Sequence, residues 1–182
     1  MFLLPGWLVS IITFPGVIVH EMAHRIFCDL AGVQVYKVCY FRAGNPAGYV
    51  LHERPNKLGA SFLITVGPLL VNTILCSFFT FTPMIAMSLD PEHLHPVFSL
   101  LIWVGISTGM HAFPSNQDAE NFVDAIEDAG RRGLLYGISR GFQGLIFIAN
   151  VSRILWFDVL FALVVAWALP HLLIRSIGFA GF

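Results

Sequence analysis

The chain has 182 residues, 57% of them hydrophobic and only 12% charged, with a mean hydropathy of +0.76; an ordinary soluble domain carries roughly 25% charged residues, so the composition argues against a water-soluble globule. Its formal net charge of -1, from ten Lys+Arg against eleven Asp+Glu, offers no basic field for nucleic acid. Three cysteines, Cys28, Cys39 and Cys76, are odd in number and lie outside any Cys-x-x-Cys, which suggests neither a disulfide framework nor a thiolate zinc site.

Apolar runs near the ~20 residues needed to cross a ~30 Å hydrocarbon core recur along the chain. The expected fold is an all-α polytopic membrane protein with about four transmembrane helices and a small membrane-associated β-hairpin after the first. The first span is expected from about Leu3 to Leu30, with a kink at Pro15-Gly16 and Gly32 as its stop. No Lys or Arg precedes this run and no small-residue cleavage site follows it, so it reads as mature structure rather than a signal peptide. From Val33 to Asn56, β-branched and aromatic residues flank the turn cluster of residues 43–48, the pattern of a hairpin. A second span is expected over about Ala60 to Met87 and, after a polar loop at residues 90–95, a third over about Val97 to Phe113. Residues Asp118 to Arg132 have the pattern of an amphipathic helix. Leu134 to Val151 fits either an interfacial helix or part of a bent span, and the final span covers about Leu155 to Ile174. Without repeats, low-complexity tracts or linkers, residues 1–182 read as a single domain, with a core of about residues 7–120 and C-terminal helices over about 121–182.

Loop charges suggest an orientation. Lys37, Arg42, Arg54 and Lys57 follow the first span, with Arg25 at its membrane edge, and Arg131, Arg132, Arg140 and Arg153 follow the third, whereas the loop between spans two and three has no Lys or Arg. The positive-inside rule then puts the end of span one and the residues after span three at the cytoplasmic face. A multi-pass protein with its chemistry on that side is the expectation.

The chemistry centres on His20-Glu21-Met22-Ala23-His24, an HExxH. On a helix, residues i and i+4 stand on one face, so both imidazoles can hold one Zn²⁺ while Glu21 acts as general base on water at the metal. The chain's own content of His and Glu would produce about 0.007 such patterns by chance. Three ionisable groups inside an apolar span are also expensive unless they function. Catalytic zinc usually takes three protein ligands. Asp118, after span three, is open to two readings, ligand or helix N-cap; His111, Asp29 and His52 are rival ligands, and Cys28 a weaker one. Asn72, an amide in mid-span, could bond between helices or hold substrate backbone or a developing oxyanion, and Asn116 is a second oxyanion candidate. His93 and His95 read as loop residues, and Asp158 and His171 as interhelical bonding groups.

Together, HExxH in a transmembrane helix, Gly67-Pro68 with Asn72 in the next span, and Pro114 with Asp118 at the end of the third resemble the site-2 protease family of intramembrane zinc metalloproteases, over about residues 7 to 120. The resemblance implies His20, His24 and Asp118 as ligands to one Zn²⁺ per chain, Glu21 as base, and a transmembrane protein substrate cleaved near the cytoplasmic face of the bilayer. The chain departs from the family at Ala119, where glycine usually follows the aspartate, and it shows no appended regulatory domain. A non-hydrolytic membrane adaptor on the same metal-binding scaffold and a small metal transporter are the alternatives; neither needs a general base at Glu21.

Overall fold

The computed structural model describes residues 5–89, 95–128, 133–152 and 155–176. Within them the chain forms helices α1 (Gly6–Ile12), α2 (Phe14–Leu30), α3 (Leu58–Leu89), α4 (Pro96–Met110), α5 (Asn116–Asp128), α6 (Leu134–Ser152) and α7 (Phe157–Ser176), with strands β1 (Val35–Cys39) and β2 (Tyr49–His52).

The first apolar run is broken rather than gently kinked. α1 and α2 meet at 91°, and the break falls at Thr13, two residues before the expected Pro15. Proline lacks an N–H and clashes with the preceding turn, so it disrupts a helix interior but fits the first turn of a new one. Pro15 occupies such a position in α2, with Thr13 as N-cap residue. The Thr13 hydroxyl donates to Val9 O at 2.7 Å, closing α1 instead of capping α2. At the other end α2 stops as expected. Gly32 has φ +67°, Gly32 N–H donates to Asp29 O at 3.1 Å and Val33 N–H to Cys28 O at 2.8 Å, a paired closure that needs a residue tolerant of left-handed backbone.

Four spans are not shown, though a mostly helical chain with helices of membrane-crossing length is. Among the described residues two helices are long and apolar enough to cross a membrane, Leu58–Met87 within α3 and Leu134–Ser152, which is α6; the bent α1–α2 pair makes a third if counted as one span. α4 has 15 residues and so rises about 22 Å, short of ~30 Å of hydrocarbon. The apolar stretch of α7, Phe157–Leu172, is also short. The segment left open in the sequence is therefore one that qualifies, with Arg140 as its only charged residue.

α2, α3 and α7 all pack on α4, and glycines allow it. A Cβ on Gly16 would lie 1.9 Å from Ser107 O, one on Gly105 2.6 Å from Thr80 Cγ2, and one on Gly109 2.8 Å from Cys76 Sγ and 2.9 Å from Ala162 Cβ. Thus α2, α3 and α7 each approach α4 over a residue without a side chain, the device helices use where lipid supplies no hydrophobic drive for association. On the far side, Phe62, Phe122 and Phe142 pack α3, α5 and α6 together.

The hairpin forms as expected, antiparallel, with Val38 opposite Val50 and Cys39 opposite Tyr49. Its ladder is irregular between Val35 and Lys37. It packs on α2. Arg54, just past β2, pairs with Asp128 at the end of α5. The amphipathic helix runs to Asp128; its expected end at Arg132 lies outside the described residues, as do His93 and the loop charges Arg131, Arg132 and Arg153. Arg140 belongs to α6, where it donates to Gln143 Oε1 at 2.7 Å, and is not a loop charge.

Candidate metal centre

The i, i+4 spacing of α2 stacks the two histidines as the motif requires. Their rings are 4.7 Å apart at 77°, and both residues are buried. Asp118 comes to the same point from the first turn of α5, so that His20, His24 and Asp118 form a group whose ligand atoms all lie within 4.8 Å of one another. The separations are 3.1 Å between His24 Nε2 and His20 Nε2, 3.3 Å between His24 Nε2 and Asp118 Oδ2, and 3.6 Å between His20 Nε2 and Asp118 Oδ2. A tetrahedron with metal–ligand bonds of 2.0–2.1 Å has edges of about 3.3 Å. Two imidazoles and one carboxylate at these spacings therefore fit a tetrahedral cation with one position left over.

Asp118 is not the N-cap of α5, which corrects one of its two readings: Ser115 holds that position, and Asp118, three residues on, closes a capping box with it. Ser115 N–H and Ser115 Oγ donate to Asp118 Oδ2 at 2.8 and 2.6 Å, and Asp118 N–H lies 3.2 Å from Ser115 Oγ. The Ser-x-x-Asp signal was present in the sequence as Ser115 to Asp118. The cap fixes the carboxylate against the helix start while its Oδ2 faces the histidines. Burial pushes the Asp118 carboxyl up, but the imidazoles of His24 and His20 outweigh it and hold this acid well below the usual carboxylate range.

A second layer orients His20. Its Nδ1 lies 2.6 Å from the backbone carbonyl of His111, which can only accept, so Nδ1 carries a proton; in the neutral ring Nε2 is then bare, the form in which imidazole binds a metal. This carbonyl has no signature in the sequence; it arrives because Gly16 lets α2 lie against the end of α4. Glu21 is buried as well. The backbone of Gly48, at the entrance to β2, lies against it, since a Cβ there would stand 2.6 Å from Glu21 Cγ and 2.9 Å from Oε1. The hairpin thereby forms one wall beside the carboxylate.

The rival ligands are engaged elsewhere. His111 Nε2 bonds Thr13 Oγ1 at 2.8 Å, and because that hydroxyl already donates to Val9 O the imidazole is the donor. Asp29 accepts from Arg25 Nε at 3.0 Å on an exposed surface. His52 Nδ1 donates to Glu53 O at 2.7 Å, and Cys28 is buried in the helix one turn beyond His24. His95 caps α4, its side chain accepting from Val97 N.

Of the two readings of Asn72, the structure displays the interhelical one. It is 0% exposed, and its Nδ2 faces only backbone carbonyls, those of His111 at 3.0 Å, Thr108 at 3.1 Å and Gly16 at 3.4 Å. A substrate cannot touch it. Its candidacy for an oxyanion is corrected accordingly. Asn116 is exposed at the start of α5 and lines a cleft of about 520 Å³ between α5 and α6 that does not include His20, Glu21, His24 or Asp118 in its wall.

Set against family models, curated proteins and solved structures, the chain matches none. What fold and site define together is a mostly helical chain, with helices of membrane-crossing length, that brings His20, His24 and Asp118 to one point suited to a metal ion.

Proposed function

We propose that this chain is a zinc-dependent intramembrane endopeptidase that cleaves another membrane protein near the cytoplasmic face of the bilayer. The observation that carries the reading is the convergence of His20, His24 and Asp118 with a buried carboxylate, Glu21, one residue along the same helix. A site that only stored or moved a metal would need the three ligands and not the fourth group. His20, His24 and Asp118 would hold the ion. Bound zinc supplies Lewis acidity, which brings water's pKa towards ~7 and polarises a carbonyl. Glu21 takes the proton of the attacking water as the C–O bond forms, then delivers it to the leaving nitrogen as the C–N bond breaks. His20, its Nδ1 proton held by the His111 carbonyl, would present Nε2 to the ion. Asn116, exposed at the mouth of α5, is the remaining side-chain candidate for contact with substrate.

The test is incubation of the purified chain with a panel of single-span substrates, with and without a zinc chelator. Cleavage that disappears on chelation and returns with zinc supports the reading. Stoichiometric zinc with no cleavage of any substrate favours the adaptor alternative.

A further inference from the structure

We propose that Asn72 is a positioning residue for the metal centre, acting on His20 through the backbone carbonyl of His111; this rests on the metal-binding reading of His20 but not on proteolysis. Asn72 stands on α3, and reaches with one amide nitrogen to the close of α4. The His111 carbonyl lies just past Met110, the last residue of α4. It accepts from two side chains of other helices, His20 Nδ1–H at 2.6 Å and Asn72 Nδ2–H at 3.0 Å. A carbonyl held by two hydrogen bonds from different helices cannot swing without losing one of them. Asn72 also donates to Thr108 O at 3.1 Å, so it grips the last turn of α4 at two points.

The amide's orientation is settled by its surroundings. All its near partners are carbonyl oxygens, which accept and never donate, so the nitrogen must face them. Asn72 Oδ1 is then buried with no hydrogen-bond partner among the described residues. A stranded buried acceptor destabilises a fold, and an apolar side chain of the same shape would avoid that penalty. What only Asn supplies here is the pair of N–H donors, and one of them meets the oxygen that selects the tautomer of His20. The order of effects runs from Asn72 to the His111 carbonyl, from the carbonyl to the Nδ1 proton, and from that proton to the bare Nε2 facing His24 and Asp118.

The experiment uses the full chain in lipid nanodiscs, metal-free and ¹⁵N-labelled at histidine, together with zinc titration. Wild type should show the His20 Nδ1 proton as a slowly exchanging signal far downfield. Asn72→Leu, which keeps the bulk and removes the donors, and Asn72→Ser, which keeps one donor on a shorter side chain, should shift or broaden that signal and weaken zinc binding by up to about 10-fold, less than loss of the direct outer partner of a ligand would. Thr80→Val removes another buried polar group from the α3–α4 contact and should change neither. The proposal is overturned if wild-type His20 carries its proton on Nε2, if either Asn72 variant folds with both readouts unchanged, or if Thr80→Val has the same effect as Asn72→Leu. A wild-type chain that binds no zinc overturns the metal reading and leaves the proton signal to judge the relay on its own.

Discussion

Glu21 and Gly48 show how tightly single residues constrain this site. Glu21→Gln keeps the size of the side chain and removes its basicity, so zinc content should stay at one per chain while cleavage falls by about 10²–10⁴-fold, the usual contribution of a general base. His20→Ala, His24→Ala and Asp118→Asn remove or neutralise ligands and should instead lower zinc affinity by about 100-fold or more, beyond what an outer partner contributes; metal analysis after dialysis separates the two classes. Gly48→Ala makes a different demand. Its new methyl would stand 2.6 Å from Glu21 Cγ and 2.9 Å from its Oε1. Glu21 must move, so cleavage should drop with zinc affinity unchanged. Cleavage at the wild-type rate would mean that the carboxylate has room the contact denies.

At the scale of elements, the hairpin has a role that its contact with Glu21 makes testable. A peptide bond inside a helix is wrapped and hydrogen-bonded, so cleavage requires local unwinding. Unwound backbone in or near lipid then needs partners for each N–H and C=O, and a strand edge offers them without reading side chains. Under the proposed function, β1 or β2 holds substrate in extended form beside Glu21. Proline substituted singly at Val35, Val38 and Val50 removes a ladder donor at each site. At least one variant is expected to lose cleavage with zinc content and thermal stability retained. If all three cleave normally or unfold, the hairpin is only a cap. The bent α1–α2 pair is the second element that matters, because α4 fastens it from the side: Trp103 Nε1 donates to Ile12 O at 3.0 Å, and His111 Nε2 donates to Thr13 Oγ1 at 2.8 Å.

For the molecule as a whole, the arrangement in the bilayer is what α3 makes measurable. Its largely apolar stretch of 30 residues from Leu58 to Met87 suffices to cross, and the basic residues cluster before it, at Lys37, Arg42, Arg54 and Lys57. With Cys39 replaced by serine, single cysteines at Lys57 and at Glu92 should label from opposite sides, the first from the cytoplasm; labelling from one side would remove α3 as a span and the proposed orientation with it. The pairing of His20 and His24 on α2 was legible in the chain itself, since a helix places residues four apart on one face whatever surrounds it. The hairpin and the stop at Gly32 were legible too, because backbone preferences are local. Asp118 was half legible: its sequence signal as a capping residue and its approach to the histidines are separate facts, and only packing could join them. Nothing in the sequence indicated the His111 carbonyl, the wall at Gly48 or the grip of Asn72. Each depends on which backbone lies against which, and that was decided by tertiary structure, where Gly16 and its counterparts on α4 let helices distant in sequence close to within reach of a hydrogen bond.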